Sequence, residues 1–397
     1  MVPGGVLARI LIGLGARWIK VEDPAGGDPL RSLEPRVEGT GAGFAAYFGG
    51  AESVALDLRT PGGVERVRQL ARHADVLVES FRPGVLEAWG LAPDAMLEDN
   101  RRLILCSLPG FARLESSERS QAGDLVQAAG GRTHDSRAHR TVGHDLDFTA
   151  ISGLLGALGA LPQPGTGESR EGAWLPAVQL ADVTAGIMAS SAILAALLER
   201  SRTGRGRRVE QPLLSGAMAF MTWLFADAEA RPVAAGEPSP GPGATLRGEP
   251  SGTPTGLLAG RCPAYNVYRC ADGLQLAVAA VEPKFWQRFV TLVGLLELAP
   301  LGLELGAAGI RARRILADRL AQAPRAHWLA LAAGQDLPVS AVNSVEGALA
   351  DPAIDPASCL AIGPWQRPPQ SRCPALGADT ERILAEFSAS PSEPLPG

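Results

Sequence analysis

The sequence predicts an α/β protein, with a large domain built on a parallel sheet and a smaller α+β domain set into the chain near its C-terminal part. Three observations lead there. Over the first 230 residues, short β-like runs alternate with helical periodicity, as in Ser53–Leu58, Pro61–His73, Asp75–Glu79 and Leu103–Ser107. Such alternation builds βαβ units, whose strands lie parallel. Residues 231–260 are rich in Gly and Pro, lack periodicity and read as a linker. Immediately beyond, two strand-like runs flank Ala271-Asp272-Gly273, a hairpin signal. The expected division is a large domain at 1–230 completed by 335–397, a linker at 231–260 and a small domain at 261–334.

Taken in order, Val6–Gly15 is an apolar helix ending in glycines, and Arg17–Glu22 is a short strand. Gly13-Leu14-Gly15 hints at a dinucleotide loop, but it follows a helix rather than a strand, which removes that reading. Thr60 is placed to cap the helix Pro61–His73. Residues 112–142 are polar, rich in Gly, Ser and Arg, and read as a surface loop. Helices are expected at 148–160, 182–200 and 212–229, with a strand at 207–210 between the last two. Past the hairpin at 264–279, helices are expected at 283–295, about 310–333 and 378–388, and a strand at 337–342.

Composition excludes some partners. Of the 397 residues 46% are apolar, ample for a core, and the net charge of −5 gives no reason to expect nucleic acid. No run of about 18 uncharged apolar residues appears, so no membrane partner is expected. The cysteines Cys106, Cys262, Cys270, Cys359 and Cys373 are scattered without a CxxC pair, against a zinc site or dithiol motif. Reduced thiols and a cytoplasmic location are the expectation.

Three stretches carry ionisable groups in suggestive places. Gly143-His144-Asp145-Leu146-Asp147-Phe148 puts a histidine and two carboxylates at the mouth of an apolar helix. Asp182 opens the longest helix, and Glu282 follows the hairpin, before Pro283. Inverting a carbon beside a thioester needs a base on one face and an acid on the other, and an imidazole with a carboxylic acid suits that task. A helix start also offers amides for an enolate oxygen. Each residue has a plainer reading as well: Asp182 as an N-cap, His144 as a structural histidine, Glu282 as a helix start. The arginines at 200–208 read as a solvated helix end.

Five runs in order resemble the family III CoA-transferase superfamily: Ile19–Pro24 with Gly27–Arg31, Ser53–Pro61, Ala74–Glu79 with Phe81–Gly84, Leu103–Ser107, and Arg202–Gly206. Gly143–Phe148 and Pro263–Phe285 resemble its α-methylacyl-CoA racemase branch. The resemblance implies a Rossmann-like large domain and an interlocked homodimer. It implies a racemase or epimerase that inverts a 2-methylacyl-CoA, with no cofactor beyond the coenzyme A moiety of the substrate. His144 and Asp182 would be the two bases and Glu282 the hydrogen-bond partner of the imidazole. Arg82, Lys20 and Arg31 would line the nucleotide end. In the transferases the residue at the Asp182 position carries the acyl group as an anhydride, so CoA transfer between carboxylic acids is the alternative. A non-catalytic acyl-CoA-binding homologue is a third.

The chain also departs from the pattern. The family's usual first strand would precede residue 1, so either the start of the chain is misassigned or the sheet lacks an edge strand. Gly49–Glu52 replaces a basic run expected near the CoA phosphates. Gly123–Ala128 is similar to the transferases' version of the His144 region.

Overall fold

The computed structural model describes residues 2–112, 143–159, 175–229, 258–361 and 373–388. The loop at 112–142, including Gly123–Ala128, and the linker at 231–260 lie almost wholly outside the described residues. The chain divides into two units. The first comprises Met1–Ser152, Ala177–Phe220 and Pro356–Gly397, and the second Gly153–Pro176 and Met221–Asp355.

In the first unit, β1 (Ile19–Glu22) is followed by the small hairpin of β2 (Arg36–Val37) and β3 (Thr40–Gly41), then a helix, Ala42–Phe48. β4 (Glu52–Ala55) returns to pair parallel with β1, Ile19 opposite Glu52. Thr60 caps the helix Pro61–His73 as its sequence predicts, its Oγ1 accepting from the Gly63 amide at 3.1 Å. β5 (Val76–Glu79), β6 (Ile104–Ser107) and β7 (Arg208–Glu210) form a second parallel sheet in that order. The expectation of a single parallel sheet is corrected here. Among the described residues β1–β4 and β5–β6–β7 are separate sheets, with β1 and β5 each laddered on one side only.

The N-terminal helix (Val2–Gly13) has no charge in its first or last turn and is buried along most of its length. Two packing surfaces explain that. Leu7 and Leu11 meet Val76, Val78, Cys106 and Leu108, while Ala8 and Ile12 meet Phe44 and Phe48. The long helix (Leu180–Thr203) packs beside it. At Gly186 a Cβ would come within 2.7 Å of the Pro3 carbonyl and 2.8 Å of Val6 Cβ, so only glycine permits the close approach.

The long helix has 24 residues and a mean hydropathy of 1.7 in its most apolar stretch, enough by length and composition to cross a membrane. Its buried residues give a different reason for that apolarity: Ala181, Ala185, Ala189, Ile193 and Ala196 form a stripe turned into the core. Gly204, at φ +71°, ends it. The reading of a solvated helix end is corrected at Arg200, which is buried in the last turn and paired with Asp75 at 2.8 Å, while Arg208 beyond Gly204 pairs with Asp94 at 3.2 Å.

The second unit holds the hairpin, β8 (Tyr265–Arg269) and β9 (Gln275–Ala279), turned at Gly273 with φ +76°. β10 (Val339–Ala341) adds antiparallel to β9, Val339 opposite Val278. That pairing carries the second unit on to Asp355, past the boundary at 334 that the sequence predicts. Trp286, Phe289, Leu316, Leu320 and Trp328 cover one face of the sheet. The helix expected at 310–333 is two, Ala307–Leu320 and Arg325–Ala332, because Pro324 cannot continue the first. The helix expected at 148–160 is likewise interrupted, at Gly153 with φ +81°, into Asp145–Ile151 and Leu154–Gly159. The last helix, Thr380–Ser388, returns to the first unit, its Ile383 packing with Val54 and Leu56.

Candidate active site

The site is built where two helices of the first unit begin. Gly143 and Gly110 flank the fully buried Phe148 ring, and a Cβ on either would approach that ring within 2.9 Å. The glycine before His144 is therefore a packing requirement. It lets the turn close over the ring that anchors the helix Asp145–Ile151. His144 is the N-cap of this helix and its side chain is exposed. Its amide donates to Asp147 Oδ2 at 2.8 Å, so Asp147 serves the start of its own helix.

Asp145 serves a different helix. Its Oδ1 accepts the Asp182 amide at 3.0 Å, and the Leu180 and Ala181 amides also donate to this carboxylate. The residue that caps the long helix is thus not Asp182. Asp182 sits inside the first turn, at its third residue, and the N-cap Gln179 makes no side-chain cap bond. The amides that the sequence offered to an enolate are already taken by Asp145. The sequence reads Asp145 and Asp147 as orienters of backbone amides without a part in the chemistry, and both do accept amides, Asp145 that of Asp182 in another helix. The signal of Asp145 was faint: an aspartate at the first position of a helix whose own N-cap amide is already served by Asp147.

This arrangement sets the charge state of Asp182. Burial, and then the neighbouring Asp145 charge, push its carboxyl up to about 6, while His144 pulls the other way. Burial also pushes Asp145 up, against the amides that favour its charged form. Tyr47, half-buried on the helix Ala42–Phe48, feels the same carboxylate, and its phenol is raised by burial and by Asp182. His144 and Asp182 are therefore brought together in one unit, with Asp145 between them and Tyr47 beside.

Glu282 belongs to the second unit. Its backbone begins the helix Pro283–Leu292, and its exposed carboxylate makes no cap bond there. Arg82 follows β5 in an exposed loop, and among the described residues no side chain pairs with its guanidinium. The loop leaves the carboxyl end of a parallel strand, where ligands bind in open α/β sheets.

Lys20 and Arg31 are placed differently. Lys20 Nζ lies 2.9 Å from Asp28 Oδ2 and 4.3 Å from the centre of the Phe48 ring. Arg31 donates to both oxygens of Glu22, at 2.8 and 2.7 Å, and to the Pro374 carbonyl at 2.9 Å. Burial raises Asp28, but the Lys20 charge overcomes it and holds the carboxyl at about 2. Both cations are committed to internal carboxylates.

Comparison with known proteins identifies the family. The profile of CoA-transferase family III matches residues 1–385, and the chain belongs to that family. Mus musculus α-methylacyl-CoA racemase is 29% identical over 413 aligned residues, spanning 100% of this chain and 92% of the relative. Homo sapiens succinyl-CoA:glutarate CoA-transferase is 26% identical, spanning 89% of this chain and 72% of that one. A CaiB/BaiF family protein from Brucella suis superposes with a TM-score of 0.68 at 25% identity, covering 97% of this chain and 96% of its own.

Proposed function

We propose that the chain inverts the α-carbon of a 2-methylacyl-CoA by 1,1-proton transfer through an enolate, with His144 and Asp182 as the two bases. The observation that carries this reading is the state of Asp182: a half-buried carboxyl raised to about 6, close enough to feel the exposed imidazole of His144. A racemase runs equally in both directions. Each base must accept the proton in one direction and give it back in the other, which works best when the two groups titrate close together. An ordinary aspartic acid, near 3.9, would already have lost its proton near neutral pH, and the raised carboxyl of Asp182 holds its proton to higher pH. Glu282 is proposed as the partner of the imidazole and Arg82 as a contact at the nucleotide end. Lys20 and Arg31 act there through the segment they brace, 19–31. No cofactor is proposed beyond the coenzyme A of the substrate.

The test is stereochemical. α-Deuterium uptake from D₂O is followed into each pure enantiomer of a 2-methylacyl-CoA. Wild type should exchange both, His144→Ala should keep slow exchange with one enantiomer, and Asp182→Asn with the other. Loss without enantiomer preference, or retention of wild-type rates, would refute the two-base assignment.

The CoA-transferases among the relatives support a second reading, in which Asp182 attacks the thioester and carries the acyl group as an anhydride. Hydroxylamine during turnover should then inactivate the enzyme covalently at Asp182. We further propose that a second copy covers the exposed apolar side chains of the helix Leu213–Glu229, where Trp223 is 66% and Phe220 50% exposed. A monomer at micromolar concentration would count against that dimer.

A further inference from the structure

We propose that Asp145 is a positioning residue that clamps the His144 turn onto the first turn of the long helix, so that the two candidate bases are held in one rigid piece. The geometry is specific. Asp145 is the residue next to His144, and its Oδ1 accepts the amide of Asp182 itself at 3.0 Å. The Leu180 and Ala181 amides complete its acceptance of the helix start. Among the described residues no other side chain caps that start, and Gln179 makes no cap bond. Left unserved, three half-buried amides at the first turn would fray the segment that carries Asp182. The clamp is also long in reach, joining residues 37 apart in sequence.

The same contact has an electrostatic consequence. Among the described residues Asp182 is faced by Asp145 and His144 from the Asp145 helix and by Tyr47 from the helix Ala42–Phe48. Of these, Asp145 carries the negative charge that keeps the Asp182 proton in place. The clamp therefore positions Asp182 and, adding to the effect of burial, favours its acid form. This inference rests on the two-base reading for its functional meaning, but its test does not.

Two variants separate the parts. Asp145→Ala removes the acceptor and the charge, while Asp145→Asn keeps one acceptor oxygen and removes only the charge. Amide hydrogen exchange over residues 180–185 should quicken roughly fivefold or more in Asp145→Ala and less in Asp145→Asn. Carboxyl ¹³C titration, with the Asp182 signal assigned by its loss in Asp182→Asn, should move down by about one pH unit in Asp145→Asn. Unchanged exchange at 180–185 in Asp145→Ala would overturn the clamp, and an unmoved Asp182 titration in Asp145→Asn would overturn the electrostatic half. If Asp145→Ala does not fold, Asp145→Asn alone carries both measurements, and wild-type values in both would refute the proposal. Neither readout needs turnover, so loss of the racemase reading would leave these results standing.

Discussion

Glu22, buried, and Asp182, half-buried, are both carboxylates of the first unit, and their surroundings drive them in opposite directions. Burial works against the charge of Glu22, yet the Arg31 guanidinium, the Asp28 amide and the Ser53 hydroxyl hold it below the usual carboxylate range. Asp182 also loses solvation, but the neighbouring carboxylate, Asp145, adds repulsion, and its own carboxyl rises to about 6. A buried charge with every lone pair answered is part of the scaffold. A buried acid left without a matching cation is held ready to exchange a proton. The contrast also explains why Arg31 and Lys20 read so differently from Arg82: the first two are paired inward, and the third is exposed in a loop at a strand's carboxyl end.

The comparison can be broken most forcefully at the chemistry. Removing either base should lower α-proton exchange on the order of 10²–10⁴-fold, each variant sparing a different enantiomer. Should Asp182→Asn be dead while His144→Ala stays active, the transferase reading takes over. Next in size is Glu22→Gln. It leaves Arg31 with half its partner in a nearly closed environment, and should lower unfolding stability by about 3 kcal/mol in urea titration. If that variant is as stable as wild type, the Glu22 network is not the scaffold claimed for it.

Asp182 should show the opposite sign. Its carboxyl is raised from 3.8 to about 6, so the folded chain holds an extra proton between those values. Stability then falls as pH rises through that window and stays lower above it. Asp182→Asn lacks this term. It should be more stable than wild type by about 2–3 kcal/mol above pH 6, with the advantage vanishing near pH 4 and below. Equal melting temperatures at pH 7 would show that Asp182 is not held in a hostile environment. The smallest effect is expected at Arg82. Arg82→Ala should raise KM for acyl-CoA several-fold with kcat nearly constant, because a remote phosphate contact binds ground and transition states alike. An unchanged KM would remove it from the nucleotide end.

The sequence by itself determined the elements whose causes are local. Thr60 as a cap, the Asp-Gly hairpin turn, the apolar stripe of the long helix and its stop at Gly204 are all set by neighbours within a few residues. His144 and Asp182 were legible as candidates for the same reason, since each stands at a helix start marked by its flanking residues. Only the tertiary structure decided what those groups do to one another. Asp145 accepts amides 37 residues away, Arg31 meets Glu22 and a carbonyl 343 residues off, and β10 joins a hairpin more than 60 residues earlier. It also left β1 and β5 in separate sheets, which no strand pattern announces. The physical reason is one of range. Backbone conformation follows from sterics and hydrogen bonds over a turn or two. The charge state of a buried carboxyl follows from which distant groups share its low-dielectric surroundings, and the chain sets that only by folding.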